Sequence, residues 1–167
     1  SLYKAEQYFR MDSLDQALNG DGNNLGFLGV IKKFGGTDAA NLAAFYAGST
    51  YVQLNDNANA IKYLKDFSTD SKPIQQRAYL LLGDAYADMG SHKEALDYYK
   101  KSAQHFSEDE NASAEALFRA GYLSSRVLNN NAEAVKLFTE LKEKYGRTVR
   151  GQEVDTYLAQ LGALNVN

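Results

Sequence analysis

The residues of this chain that could perform chemistry are few and scattered. The two histidines, His92 and His105, lie thirteen residues apart, a spacing that fits no local metal-ligand or catalytic pair. The chain has no cysteine, which excludes disulfides and thiolate metal sites. It also lacks a Gly-x-Ser-x-Gly, phosphate-loop or His-x-x-x-His motif. We therefore interpret both histidines as surface residues and expect neither enzymatic activity nor a cofactor.

The strongest metal-binding candidate is the polar segment 19–27, NGDGNNLGF, in which Asp21 stands among asparagines and glycines. A calcium loop of the EF-hand type needs a glutamate at its twelfth position, and counting from Asn19 that position holds Val30. So many glycines and asparagines also interrupt a helix. A structural bulge, or a loop shaped for a partner, fits these residues better than a metal site.

The elements that would position any site are predicted to be helices. One proline, frequent Ala, Leu, Lys and Glu, and 44% hydrophobic residues in a chain of 167 favour a single all-helical domain. The net charge of −3, with acids and bases interspersed, argues against nucleic acid as a partner, because that partner needs a basic stripe. No apolar run approaches the ~18 residues that a membrane span requires.

One stretch, residues 78–102, predicts two amphipathic helices joined by a turn. Its small residues, Gly83 and Ala95, are expected where the two helices cross. Large residues such as Tyr86 and Tyr99 recur at helical spacing and form a buried stripe. A hairpin of this size cannot bury its apolar faces alone, so copies of it are expected nearby.

Copies of the hairpin occur on both sides. Gly48, 35 residues before Gly83, takes the corresponding position in the upstream copy. Gly121, 38 residues after Gly83, takes it in the downstream copy. A fourth copy is shifted by 43 residues, from Tyr51 to Tyr8. That longer shift equals a period of about 34 residues plus the nine residues of the polar segment.

The order of large residue, Leu-Gly, Tyr, turn, Ala and aromatic residue resembles the tetratricopeptide (TPR) repeat. The resemblance implies a right-handed α-α solenoid of about four helical hairpins, closed by a C-terminal capping helix with a polar outer face. The predicted parts of this single domain, 1–167, are the repeats 1–34 (with the insertion 19–27), 38–67, 73–106 and 112–145, and the capping helix 149–162.

Capping residues predict where the helices begin. Ser13 and Ser91 each stand three residues before a Gln or Glu, which is the capping-box pattern. The acidic run 107–111 is interpreted as negative charge that interacts favourably with the dipole of the helix that follows. Further N-caps are predicted at Thr37, Asp56 and Asn130.

In TPR proteins the first helices of the repeats line a concave groove, and the register assigns residues of this chain to it. Phe45, Leu80 and Phe118 take equivalent positions and form a predicted apolar ladder. Such a ladder with a mixed polar rim suits an extended or helical peptide. The alternative is that these side chains pack against a neighbouring helix or are covered by an upstream segment. The predicted groove residues are Phe9, Arg10, Phe45, Ser49, Arg77, Leu80, Asp84, Asp88, Phe118, Tyr122 and Arg126.

A closer resemblance concerns the half repeat at the start, the Asn-Gly-Asp-Gly break and the Gly-Gly-Thr turn. These features resemble membrane-anchored TPR proteins of Bacteroidetes-type bacteria with a YfgM-like plan. The resemblance implies an excised fragment whose first helix, and a membrane anchor, lay upstream. It also implies a place on the periplasmic side of the inner membrane, near the secretion translocon. A cytoplasmic location is the alternative.

Two functions are compatible with these features. The first is a non-enzymatic scaffold that binds a peptide or protein partner through the groove, in cell-envelope secretion or assembly. The second is a self-associating structural protein whose homo-oligomer, rather than its groove, is the functional unit. Neither function requires nucleic acid or a cofactor.

Overall fold

A computed structural model describes residues 2–163. Within that range the chain forms ten α-helices and no β-strand, so the predicted all-helical fold of consecutive hairpins is confirmed. The predicted domain ends, Ser1 and residues 164–167, lie outside the described residues. The helices are α1 (Leu2–Arg10), α2 (Leu14–Asn19), α3 (Phe27–Lys33), α4 (Asp38–Gln53), α5 (Asn57–Leu64), α6 (Lys72–Asp88), α7 (His92–His105), α8 (Glu110–Arg126), α9 (Asn131–Tyr145) and α10 (Val149–Gln160).

The helices group into two compact units. Unit 1 contains residues 2–69 and 84–89, and unit 2 contains residues 70–83 and 90–163, so that α6 contributes to both. Across the described residues, no helix is both long enough and apolar enough to cross a membrane.

Unit 1 is organised around a core shared by its first four helices. Fully buried alanines, such as Ala17 and Ala47, let these helices approach closely. Aromatic rings fill the remaining space. Phe27 stacks on Tyr46 with 5.2 Å between the ring centroids, and Phe9 packs edge-on against both rings. Small alanines and interlocking aromatic rings therefore form this core.

The polar insertion is shorter than predicted. Asn19 is the last residue of α2, and Phe27 is the first residue of α3 and fully buried. A Cβ atom added to Gly26 would lie 2.3 Å from the carbonyl oxygen of Leu18, a distance that no side chain tolerates. The remaining residues 20–26, called loop 20–26, therefore fold back so tightly that glycine is required.

Asp21 holds loop 20–26 in this conformation. Its carboxylate accepts hydrogen bonds from the backbone N–H groups of Asn23 and Asn24, at 2.9 and 2.6 Å, and from the Tyr8 hydroxyl at 2.5 Å. The hydrogen bond from Tyr8, followed by those from Asn24, holds the pKa of Asp21 well below its ordinary value. The loop is thus tied to α1 by a charged side chain that stays ionised.

The same helix crossing recurs in three hairpins. In each, a glycine of the first helix faces a large side chain of the second. A Cβ atom added to that glycine would lie only 2.4–2.6 Å from this side chain, so the helices approach more closely than alanine allows. The predicted repeat register is confirmed by these pairs, which are Gly48 with Leu64, Gly83 with Tyr99, and Gly121 with Phe138.

The helix N-caps lie at the predicted positions, but two of them make no side-chain bond. Ser13 and Ser91, with ψ of 68° and 70°, accept no capping hydrogen bond, so the capping-box prediction is wrong for both. Asp56 and Asn130, with ψ of 73° and 79°, do accept one. Their side-chain oxygens stand one bond further from the backbone than a serine hydroxyl. Thr37 caps α4 from an extended backbone with ψ of 159°.

Unit 2 contains a buried polar hub that ties α6, α7 and α8 together. The Gln76 amide donates hydrogen bonds to the carbonyl oxygens of Ser102 and Phe106, at 3.0 and 3.2 Å, and to the Ser113 hydroxyl at 3.1 Å. Gln76 is 2% exposed, so these bonds offset the cost of burying its amide. Asp109 from the acidic run caps α8 by accepting a hydrogen bond from the backbone N–H of Ala112.

Candidate functional site

The predicted groove residues differ widely in exposure. Leu80, Phe118 and Ser49 expose only 5%, 7% and 7% of their surfaces. Phe45 is partly buried, with its ring 5.3 Å from that of Phe67. The predicted ladder is therefore made largely of packed side chains, and its role in binding stays a prediction. Phe9 and Asp84 are also partly buried, whereas the exposed members are Arg10, Arg77, Asp88, Tyr122 and Arg126.

In unit 1 the predicted groove residues are engaged in contacts within the unit. Phe9 is part of the aromatic core described above, and Arg10 pairs with Glu6 of the same helix at 3.2 Å. The Ser49 hydroxyl donates to the carbonyl oxygen of Phe45, one turn earlier in α4, at 2.8 Å. Phe9, Arg10 and Ser49 are therefore held by contacts within unit 1.

In unit 2 three predicted residues come together with α10. Phe118, Tyr122 and Arg126 follow one another at intervals of four along α8, on a single face. Tyr157 of α10 packs edge-on against the rings of Phe118 and Tyr122, at 5.0 and 6.3 Å. Arg126 Nη2 donates a hydrogen bond to Oε1 of Gln160 at 2.6 Å.

These contacts border a cleft of about 530 Å³ on the surface of unit 2. Its size is in the range of sites that hold a few side chains of a ligand. The cleft, called the α8–α10 cleft, is lined by Tyr122, Arg126, Arg150, Glu153, Thr156, Tyr157 and Gln160.

The floor of the α8–α10 cleft is a packed aromatic layer. Phe138 of α9 is 1% exposed, and its ring lies 6.1 Å from Phe118 and 5.6 Å from Tyr157. A cavity of only about 50 Å³ remains beside Tyr122 and Arg126. Because the layer is close to fully packed, it fixes where the exposed rings above it stand.

The charge of Arg150 is neutralised within the unit. Its guanidinium lies 4.0 Å from the Phe118 ring centroid and donates to Glu115 at 2.7 Å and to Glu153 at 3.0 Å. Burial alone would raise the pKa of Glu115, but hydrogen bonds from Arg150 and Arg119 hold it below its ordinary value. The hydrogen bond that Arg150 donates to Glu115 in turn raises the pKa of Arg150.

The sequence-based predictions missed Glu115, Arg150 and Tyr157. Glu115 and Arg150 are 35 residues apart, so no local spacing reveals that they meet. The only local signal was the spacing of Arg150 and Glu153 by three residues, which is typical of a helical ion pair. For α10 the sequence predicted only a capping role with a polar outer face. It did not predict that the ring of Tyr157 packs against α8.

The two histidines are half-buried. His105 packs edge-on against Tyr79, with 5.4 Å between the rings, so it is a partly covered surface residue rather than a freely exposed one. Among residues 2–163, no group of three His, Cys, Asp or Glu side chains is arranged to hold a metal ion.

Comparison with protein families identifies the repeats independently. Two family models described as tetratricopeptide repeat match the chain, one at residues 45–67 and 76–104 and the other at residues 115–148. Together they cover just over half of the chain and fall on its second, third and fourth predicted repeats. No curated protein matches the chain.

Proposed function

The chain belongs to the tetratricopeptide repeat family, and we propose that it is a non-enzymatic scaffold that binds a peptide or protein partner. TPR repeats generally mediate protein–protein interaction. We further propose that it acts in secretion or assembly at the cell envelope, on the periplasmic side of the inner membrane. This cellular role is supported only by the resemblance of the Asn-Gly-Asp-Gly break and the Gly-Gly-Thr turn to membrane-anchored TPR proteins.

The observation that carries the binding proposal is the α8–α10 cleft. Tyr122 exposes 45% of its surface although its ring lies against Phe118 and Tyr157. Aromatic side chains that are fixed on one face and open on the other are the usual anchors of protein interfaces. Arg126 stands one turn further along α8 and is also exposed. Tyrosine and arginine side by side are the pair that such interfaces favour.

The packed floor gives the cleft a further advantage for binding. An exposed side chain that becomes ordered on binding loses about 0.5–1.5 kcal/mol of rotamer entropy. Phe118 and Tyr157 already restrict Tyr122, and Gln160 already restrains Arg126. Most of this cost is therefore met in the free protein, and a partner finds the two side chains in place.

A second candidate function is self-association, favoured by exposed apolar side chains in unit 1. Met11 and Leu54, each at the end of the first helix of a hairpin, expose 71% and 47% of their surfaces. A second copy of the chain that covered them would gain from the apolar surface it buried. In that case the oligomer, and not the cleft, would be the functional unit.

Site-specific photo-crosslinking in the organism's own cells tests the proposal. A photoreactive residue replaces Tyr122 in the full-length protein, and the control probe replaces Lys62, which is exposed on α5. Leu80 is unsuitable for a probe because it is 5% exposed. We expect Tyr122 adducts with another envelope protein that are absent from the Lys62 probe. Adducts only between copies of the chain would favour self-association, and no adduct would contradict binding at this cleft.

A further inference from the structure

We propose that the segment bound in the α8–α10 cleft carries a side-chain carboxylate next to an apolar residue, and that Arg126 receives the carboxylate. The proposal rests on the proposed function, since it names the ligand chemistry of the same site. The apolar residue covers Tyr122 and Tyr157, while the acid lies one helical turn away. The occupant is thus a short acidic segment of a partner protein.

The charge of Arg126 is held in place but not neutralised. Its hydrogen-bond partner is the neutral amide of Gln160, at 2.6 Å. Within residues 2–163, no carboxylate lies at ion-pair distance from Arg126. A guanidinium has five N–H donors and Gln160 occupies one, so donors remain for a carboxylate, which arginine can bind with two parallel bonds.

The other arginine of the cleft is not available in this way. Arg150 divides its donors between Glu115 and Glu153, and its face covers Phe118. Of the two cations that line the cleft, only Arg126 therefore presents an uncompensated charge. Charge complementarity then selects an anionic group for the part of the cleft near Arg126.

The surroundings of Arg126 add an apolar requirement. Tyr122, Phe138 and Tyr157 line the small cavity beside its guanidinium. A ligand that placed only a carboxylate here would leave the exposed ring of Tyr122 and the partly exposed ring of Tyr157 in water. A ligand with a neighbouring apolar side chain would bury them and would exclude water from the ion pair, which strengthens it.

Glu153 limits how much negative charge the cleft accepts. It lines the same cleft, and 47% of its side chain is exposed although it pairs with Arg150. A second acid in the ligand would meet this carboxylate at unfavourable energy. The structure therefore favours a segment with one acidic residue rather than a long acidic run.

Peptide selection tests this chemistry and does not require the natural partner. A random twelve-residue peptide library on phage is selected against the whole chain. The enriched sequences are then synthesised with amidated C-termini, so that only side chains supply carboxylates. We expect enrichment of Asp or Glu next to Leu, Ile or an aromatic residue. Exchange of that acid for its amide is expected to weaken binding about tenfold, the effect of losing a charge-assisted pair.

Variants of the protein assign the effect to Arg126. Arg126→Gln is expected to lower the affinity for the acidic peptides about tenfold. The matched control, Arg147→Gln, removes an equal exposed charge from unit 2 outside the cleft and should change affinity by less than about twofold. Glu153→Gln should increase affinity, since it removes the repulsion. Raised salt should weaken binding to the wild type more than to Arg126→Gln.

Four outcomes would overturn the proposal, and the first two leave the proposed scaffold function standing. Selected peptides without acidic residues, or peptides that Arg126→Gln binds as well as wild type does, would leave a peptide-binding scaffold with a different ligand chemistry. In nuclear magnetic resonance spectra of the chain without peptide, signals of Tyr122 and Arg126 that shift with protein concentration would show that a second copy of the chain occupies the cleft. A failure to select any peptide would count against both the acidic ligand and the scaffold.

Discussion

The two units each contain an aromatic cluster, but the clusters are closed in different ways. In unit 1, Phe27 and Tyr46 stack inside the core, and the helix that carries Phe27 is positioned by loop 20–26. In unit 2, Phe118 is covered by the Arg150 guanidinium, and its neighbour Tyr122 remains open to solvent. The cluster of unit 1 is packed among apolar side chains of its own core, whereas a charged side chain covers part of the cluster of unit 2.

This difference separates stability from binding. The aromatic residues of the unit 1 cluster, Phe9, Phe27 and Tyr46, pack on one another. The cluster of unit 2 uses its inner faces for packing and keeps Tyr122 and Arg126 accessible. Glycine substitutions in loop 20–26 should therefore destabilise unit 1 most, whereas changes at Tyr122 and Arg126, the exposed side chains of the α8–α10 cleft, should affect stability little.

The largest effect is expected from Gly26→Ala in unit 1. The new Cβ would lie 2.3 Å from a backbone oxygen that cannot move without opening loop 20–26. We expect a loss of about 3 kcal/mol in the free energy of unfolding, the upper range for overpacking. Urea unfolding followed by circular dichroism measures it. Gly22→Ala is the control, since its Cβ would meet nothing within 4 Å and only its φ of +87° is strained. Equal losses for the two variants would refute the closed-loop description.

A smaller effect is expected from Arg150→Met in unit 2. Methionine keeps most of the apolar stem but loses the contact with the Phe118 ring and the ion pair with Glu115. We expect about 1–2 kcal/mol of destabilisation. Arg147→Met, an exposed position in the same unit, should be nearly neutral. If Arg150→Met is also neutral, the guanidinium does not hold α10 against α8.

The same ion pair predicts a dependence of stability on pH. The pKa of Glu115 lies below its ordinary value of 4.5 in the folded protein. Its contribution is therefore complete above pH 4.5 and is lost as the pH falls through the lower, folded-state pKa. Between about pH 5 and about pH 3, the melting temperature of the wild type should fall further than that of Glu115→Gln. Parallel curves for the two proteins would contradict the assignment.

The smallest effects concern the helix caps. Ser91, with ψ of 70°, is too short to reach its helix, whereas Asn130 at 79° succeeds. Ser91→Asp should therefore stabilise the protein by about 0.5–1 kcal/mol, while Ser91→Ala should be nearly neutral. Ser13→Asp should do the same for α2 of unit 1. A clear loss on Ser91→Ala would show that its hydroxyl does act as a cap.

The sequence predicted features that depend on spacing along one helix or between neighbouring helices. The glycines Gly48, Gly83 and Gly121 were identified as crossing points because a fixed period demands a small residue there, and all three face a large side chain. The caps at Thr37 and Asp56 followed from residue type in the same way.

Features that depend on distance or backbone angle escaped prediction. Phe27 was assigned to the polar insertion because the residues before it, 19–26, are rich in glycine and asparagine, yet it is fully buried. The serine caps failed because residue type does not report ψ. Glu115 and Arg150 lie on different helices, so their ion pair required the folded structure. For the same reason, the exposure of Tyr122 could not be distinguished from the burial of Phe118.

Hydrogen exchange of the whole chain, with and without the partner captured at Tyr122, is the most direct measurement of the central claim. We expect partner binding to slow exchange of backbone amides in α8 and α10, while α5 in unit 1 exchanges as before. The Arg147→Gln variant should show the same pattern of slowed exchange as the wild type. Arg126→Gln should need a higher partner concentration to show that pattern. Slowed exchange confined to unit 1, or none in α8 and α10, would contradict the assignment of binding to the α8–α10 cleft.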